Sequence, residues 1–173
     1  MNNPKRQFLG MTLLLLGPLS LLVTGQQQTP AGNGMTQQQM DEMNKRGDQH
    51  MGFDHTKTTH HFLLASDGGS IRIEANDAKD TDSRDQIRRH MRHITMMFSE
   101  GNFEIPMLIH EKTPPGSEVM QRLKAEISYK FKETERGAAI QISTSNPQAI
   151  QAIYDFLRFQ IKEHMTGDPL DVR

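Results

Sequence analysis

The sequence predicts an α+β fold: duplicated ββα units forming a mostly antiparallel sheet, with helices packed on one face. Three observations carry this. Apolar residues alternate with period two over residues 60–75 and again over 127–144. Each alternating pair of segments is followed by an apolar stripe at helical spacing. The two halves also align without a gap at an offset of 69 residues, which sets Phe62 on Phe131, Gly68 on Gly137, Ile71 on Ile140 and Ile73 on Ile142. A lone ββα unit cannot bury its apolar face, so two are expected to share one core.

From the N-terminus, Lys5 and Arg6 precede a 16-residue apolar run, Phe8 to Val23, that ends at Val23-Thr24-Gly25. This is the tripartite pattern of a signal peptide cut after Gly25, too short and too interrupted by Pro18 for a stable membrane anchor. The chain is therefore expected to be exported, to the bacterial periplasm. Cleavage would take the net charge from −1 to −3 by removing Lys5 and Arg6. Residues 26–50 are rich in Gln, Gly and Met and are expected to be a flexible arm, with a transient helix over Thr36 to Lys45. A single α+β domain is expected over residues 51–168, with repeats at about 58–100 and 125–165, followed by a tail at 169–173.

In the first repeat, His60, Phe62 and Leu64 read as one face of a strand, Asp67-Gly68-Gly69 as a hairpin turn, and Ile71, Ile73 and Ala75 as the returning strand. Asp80 or its neighbours cap a helix in which Ile87, Met91, Ile94 and Phe98 share one side, and Gly101 ends it. Phe103, Ile105, Met107 and Ile109 alternate as in a strand, which Pro106 confines to an edge. Pro114-Pro115-Gly116 makes a turn, and Glu118 to Ala125 a short helix. In the second repeat, Ile127, Tyr129 and Phe131 pair through an Arg136-Gly137 turn with Ile140, Ile142 and Thr144. Asn146 and Pro147 then start a helix with a core stripe of Ile150, Tyr154, Leu157 and Ile161.

Composition narrows the function classes. There is no Cys among 173 residues, which excludes a disulfide framework, a thiolate metal site and a cysteine nucleophile. A net charge of −1 gives no basic surplus for nucleic acid. No Ser lies in a Gly-x-Ser-x-Gly turn, and no His pair has the His-Glu-x-x-His spacing. The abundant chemistry is 8 His and 12 Met. His50, Asp54, His55, His60 and His61 crowd the start of the domain, a donor set suited to copper first or another transition metal. His60 and His61 point to opposite faces of a strand, so one ion cannot take both without a bend. A second candidate group is His90, His93 and Met97 on a helix flank, and a third is Met107 with His110. Met91 and Met120 lie on core stripes, and His164 is expected to complement a helix C-terminus. Asp77, Asp80, Asp82 and Asp85 are read as helix-capping acids.

The leading expectation is thus a non-catalytic metal-binding protein. A metal-free dimeric interaction module, joined through Phe156 and Phe159 of the last helix or turned to an envelope partner, is the alternative. A small metal-dependent or acid–base enzyme using His90, His93 and Asp54 ranks third.

The order of motifs resembles a family of small exported bacterial proteins of unknown function. The resemblance rests on Met51-Gly52-Phe53-Asp54, Thr58-Thr59-His60-His61-Phe62, Pro114-Pro115-Gly116, Ile105-Pro106-Met107-x-Ile109-His110 and Phe156-Leu157-Arg158-Phe159-Gln160-Ile161, ending at His164-x-Thr166-Gly167-Asp168. It spans roughly residues 51–169 and implies export but no mechanism. The family has His where this chain has Tyr154, so no ligand role is carried over there. Some relatives bear an aspartate carbamoyltransferase label. That activity is not supported here, because Ser143-Thr144-Ser145 lacks the Arg of a Ser-Thr-Arg-Thr phosphate loop and the chain is about half as long as such an enzyme requires.

Overall fold

The computed structural model describes residues 35–172. The expected signal peptide at 1–25 and the first part of the expected arm, 26–34, lie outside the described residues. The elements run α1 (Gln37–Met51), β1 (Thr58–Ala65), β2 (Gly68–Ala75), α2 (Thr81–Ser99), α3 (Glu104–His110), α4 (Ser117–Arg122), β3 (Ser128–Glu133), β4 (Gly137–Ser143) and α5 (Pro147–Glu163). Single 3-10 turns at His55–Lys57 and Lys124–Glu126 lead into β1 and toward β3.

The sheet is antiparallel throughout, in the order β1-β2-β4-β3. The duplication is visible in its register. Ala65 pairs with Gly68 and Thr58 with Ala75 in the first hairpin, and the 69-residue offset carries this register onto the second, where Ser128 pairs with Ser143. Ile71 pairs with its own equivalent, Ile140, so the pseudo-twofold axis passes through that pair. The glycines obey the same symmetry. A Cβ on Gly68 would lie 2.3 Å from the Ile142 carbonyl oxygen, and one on Gly137 would lie 2.1 Å from that of Ile73. Only a residue without a side chain lets the two central strands approach this closely.

One sheet face is apolar: Phe62 and Leu64 from β1, Ile71 and Ile73 from β2, Ala138, Ile140 and Ile142 from β4 are all buried. The helices cover it crosswise. α2, from the first repeat, packs mainly on β4 and β3, and α5, from the second, packs on β1 and β2. Each repeat therefore hides the other's hairpin, which is why neither half is expected to fold alone. The caps fall where expected: Asp80 accepts from the Ser83 N–H at 3.0 Å, and Asn146 Oδ1 from the Gln148 and Ala149 N–H groups. Among the described residues no helix is long and apolar enough to cross a membrane.

Two local expectations are corrected. Residues 104–110 form helix α3 rather than an edge strand. Pro106 sits in the first turn, where its missing N–H costs nothing, and the buried positions are Phe103, Pro106, Ile109 and His110, a spacing near three rather than two. Residues 37–50 of the expected flexible arm, together with Met51, form α1. A reciprocal capping box of Thr36 and Gln39 starts it, Met43 is buried, and the Arg46 Nε–H donates to the Ile109 carbonyl at 2.9 Å. The packed body therefore begins near residue 36 rather than 51. The tail is tied down as well, by Arg158 Nε–H donating to the Leu170 carbonyl at 2.9 Å.

Candidate metal centre

The five residues His50, Asp54, His55, His60 and His61 do not form one site. His50 is exposed on the last turn of α1. Asp54 caps the following 3-10 turn, accepting from the Thr56 N–H at 2.8 Å and the Thr56 hydroxyl at 2.6 Å, bonds that hold its carboxyl below the usual aspartate range. His55 Nδ1 lies 2.9 Å from both oxygens of Asp48, and its backbone N–H donates to the same carboxylate at 2.8 Å. Among the described residues, Asp48, Asp54 and His55 are the one trio of acidic or imidazole side chains whose ligand atoms all lie within 4.8 Å of one another. These groups already satisfy each other or the local turn. Their geometry is that of a latch between α1 and the domain.

The expected opposition of His60 and His61 holds, with different consequences on the two faces. His61, on the open face, lies with Nδ1 3.0 Å from Asp168 Oδ1. The other Asp168 oxygen accepts the Phe62 N–H at 2.9 Å and the Thr166 hydroxyl at 2.7 Å. Burial of Asp168 works against its ionisation, but these hydrogen bonds prevail and hold the carboxyl below its ordinary value. His61 thus ties β1 to the chain beyond α5.

His60 points into the core. Its Nε2 is buried and has no hydrogen-bond partner among the described residues. Its ring lies parallel to that of His164, with centroids 5.3 Å apart. His110 stands edge-on to His164 at 5.0 Å. Phe53 bridges His60 and His90, 6.0 Å from the first ring and 5.5 Å from the second. His60, His90, His110 and His164 line one small cavity of about 60 Å³ between the sheet and the helices, walled otherwise by apolar side chains and Gln160. Behind it, His110 Nε2 is 3.1 Å from Gln160 Oε1, and its Nδ1 is 3.6 Å from Glu163 Oε2.

Burial disfavours the imidazolium form of all four. His60 is pushed down to about 4, by burial first and then by His61 and His55. His90 is pushed down to about 3 by burial, with His60 and His93 adding repulsion. Burial and the neighbouring His60 and His110 hold His164 well below its ordinary value. Burial also lowers His110, against the opposing pull of Gln160 and Glu163. Each is a neutral imidazole near pH 7, with a lone pair available to a metal.

The other two expected groups are split. His93 is exposed and Met97 is buried in the core, so only His90 of that trio reaches the cavity. Met107 is 41% exposed, whereas the His110 side chain is 1% exposed. His164 caps the end of α5 but is held neutral, so it gives the helix C-terminus no positive charge. Phe156 is 1% exposed and packs against Phe98 and Phe103, which leaves it no surface for a partner, while Phe159 packs edge-on against His110.

The cavity set had a signal in the sequence. His60 is in phase with Phe62 and Leu64, His164 continues the stripe of Leu157 and Ile161 one turn further, and His90 lies one turn from both Ile87 and Ile94. These three imidazoles therefore fall on or beside inward faces, whereas His50, His55 and His61, which cluster with His60 along the chain, do not line the cavity. The chain matches no protein-family model, no curated protein and no solved structure.

Proposed function

We propose that this is a non-catalytic metal-binding protein that holds a transition-metal ion between His60 and His164, in the cavity that His90 and His110 also line, and that it works outside the cytoplasm after loss of residues 1–25. The observation that carries this reading is the unpartnered, buried Nε2 of His60 beside two further neutral imidazoles. A buried polar atom without a partner costs about 1–3 kcal/mol, and a ligand that accepts its lone pair removes that cost. Two imidazoles on one ion, with metal–nitrogen bonds of about 2.0 Å, hold their centroids roughly 4.5 to 6.3 Å apart, depending on the angle at the metal; the His60–His164 separation of 5.3 Å lies within that span, although the rings stack face to face and their nitrogens do not yet converge. Rotation of the rings about their side-chain bonds would bring the nitrogens onto the ion. His110 stands edge-on to His164 and is bonded through Nε2 to Gln160, and its Nδ1, 3.6 Å from Glu163, is a further buried nitrogen without a hydrogen-bond partner among the described residues. The pairing of His55 with both Asp48 oxygens gives the surface latch a structural role that needs no ion.

The test is calorimetric titration of the purified, untagged protein with Zn(II), Ni(II), Cu(II) and Cu(I). Stoichiometric binding that disappears in a His60→Phe, His164→Gln variant and survives in Asp48→Asn, His55→Gln supports the reading. The reverse pattern moves the site to the latch. Absence of binding tighter than about 10 µM, near −7 kcal/mol, rejects metal binding altogether.

A further inference from the structure

A second space opens onto the same imidazoles. Between α1, β1 and the end of α5 lies a cleft of about 340 Å³, lined by Met40, Met43, Met51 and Met165 together with His55, His60 and His164. Met51, His60 and His164 also line the smaller histidine cavity, so the two spaces share a wall. The four thioethers are graded in exposure. Met165 is 71% exposed at the mouth, on a residue with φ of 48°, a left-handed conformation unusual for a side chain of this kind. Met40 and Met51 are half-buried, and Met43 is 2% exposed.

Resting on the metal-binding reading, we propose that the ion is Cu(I) and that it reaches the histidines through this methionine-lined cleft beneath α1. Three physical arguments select it. Thioether sulfur is a soft donor that binds Cu(I) well and Zn(II) or Ni(II) poorly. Among the described residues no carboxylate lines either space, Asp48 and Glu163 standing one residue behind, against His55 and His110, so an entering ion meets no anionic wall directly. The solvation penalty for an ion in such surroundings grows with the square of its charge, roughly fourfold from a monovalent to a divalent ion, which favours the former. Finally, Cu(I) is content with two or three ligands, so a pair of imidazoles with one thioether completes its shell where a divalent ion would lack donors. Transfer is ligand exchange alone: a Cu–S bond to a cleft methionine breaks as a Cu–N bond to His60 or His164 forms, and copper stays in the +1 state throughout.

The sharpest test replaces Met40, Met51 and Met165 together with Leu, a swap that keeps volume and apolarity and removes only sulfur. Cu(I) affinity is measured under anaerobic reduction by competition with bicinchoninate, the rate of uptake by stopped flow, and Zn(II) affinity in parallel. The expected result is Cu(I) binding by the parent, at least tenfold slower uptake or weaker affinity in the triple Leu variant, unchanged Zn(II) behaviour in that variant, and a sulfur shell in the copper X-ray absorption spectrum of the parent that the variant lacks. His60→Phe, His164→Gln should abolish Cu(I) retention. If the Leu variant takes up Cu(I) with the parent's rate and affinity, the methionine route is wrong while the histidine site stands. If the parent binds Zn(II) and not Cu(I), the choice of ion is wrong and the histidine site again stands. If it binds neither, both proposals fall together.

Discussion

His60 and Tyr129 occupy equivalent places in the two hairpins. They are 69 residues apart, and each pairs across its hairpin with an equivalent isoleucine, Ile73 in one case and Ile142 in the other. Both point toward the core, and both leave a buried polar atom without a protein partner, Nε2 of His60 and the hydroxyl of Tyr129. Their surroundings differ. Tyr129 faces Phe98, and burial raises its hydroxyl above the ordinary range, so it remains a neutral donor with no ligand chemistry near pH 7. His60 faces His164 and, across Phe53, His90. The scaffold is symmetric, but only the first hairpin gathers lone pairs. The framework is common to both hairpins, and the side chains of the candidate site stand at one end of it.

The largest effect should come from breaking the symmetry of the framework. Gly68→Ala and Gly137→Ala each force a methyl group into the backbone carbonyl of the facing central strand. Each should lower stability by about 3 kcal/mol, read as a fall in the urea midpoint. Gly68, at φ of 145°, should suffer at least as much as Gly137, because the substituted residue is also strained there. A neutral Gly137→Ala would show that the central strands can separate at one end only, and the equivalence of the two hairpins would fail.

The next effect separates the hairpins by pH. The imidazoles are held below 6.5 in the folded protein, at about 4 for His60 and about 3 for His90. The unfolded chain therefore binds more protons in the interval between. Stability is full above about pH 6.5 and declines as the pH falls toward these values, by at most about 1.4 kcal/mol per pH unit for each imidazole. Denaturation midpoints from pH 7 to 4 should show this slope, reduced in His60→Phe and retained in Tyr129→Phe. A slope unchanged in His60→Phe would mean that this imidazole is not desolvated.

A smaller effect concerns α1, which has no counterpart in the second half. Besides the Ile109 carbonyl, Arg46 reaches Glu111 at 3.2 Å, but Glu111 is 69% exposed and that pair contributes little. Arg46→Ala should cost about 1 kcal/mol, mostly from the bond to the carbonyl. Amide exchange should quicken in residues 37–51 while the sheet stays protected. Uniform quickening across the sheet would show that α1 belongs to the cooperative core rather than forming a cover over the methionine cleft.

These contrasts also show what was legible in the sequence. Period-two and period-3.6 patterns, caps and the 69-residue alignment depend on neighbours in the chain, and they gave the α+β class, both hairpins and the two long helices. The short segment 104–110 is ambiguous in sequence, because the alternation of Phe103, Ile105, Met107 and Ile109 also satisfies a helix when the burial falls on Phe103, Pro106 and Ile109. Helix α1 has little local signal, because its support comes from tertiary contacts of Met43 and Arg46. The candidate site was half legible. His60, His90 and His110 stand out in the sequence, but in three separate groups, because the contacts that join them run through His164, 104 residues beyond His60, and through Phe53.

The smallest expected effect is the most discriminating. Tyr129→Phe removes a buried hydroxyl that has no partner and leaves the ring against Phe98. Stability should be unchanged or rise by up to about 1 kcal/mol, measured as a shift of the thermal midpoint, with metal binding unaltered. His60→Phe removes the equivalent orphan from the first hairpin and should likewise be tolerated in the metal-free protein. With metal present the two variants should part. At a ligand concentration one hundred times Kd, the parent and Tyr129→Phe should gain about 2.7 kcal/mol, and His60→Phe should gain nothing. If His60→Phe instead destabilises the metal-free protein strongly while Tyr129→Phe does not, the imidazole at position 60 is retained for hydrogen bonding through water, and its lone pair is already spent.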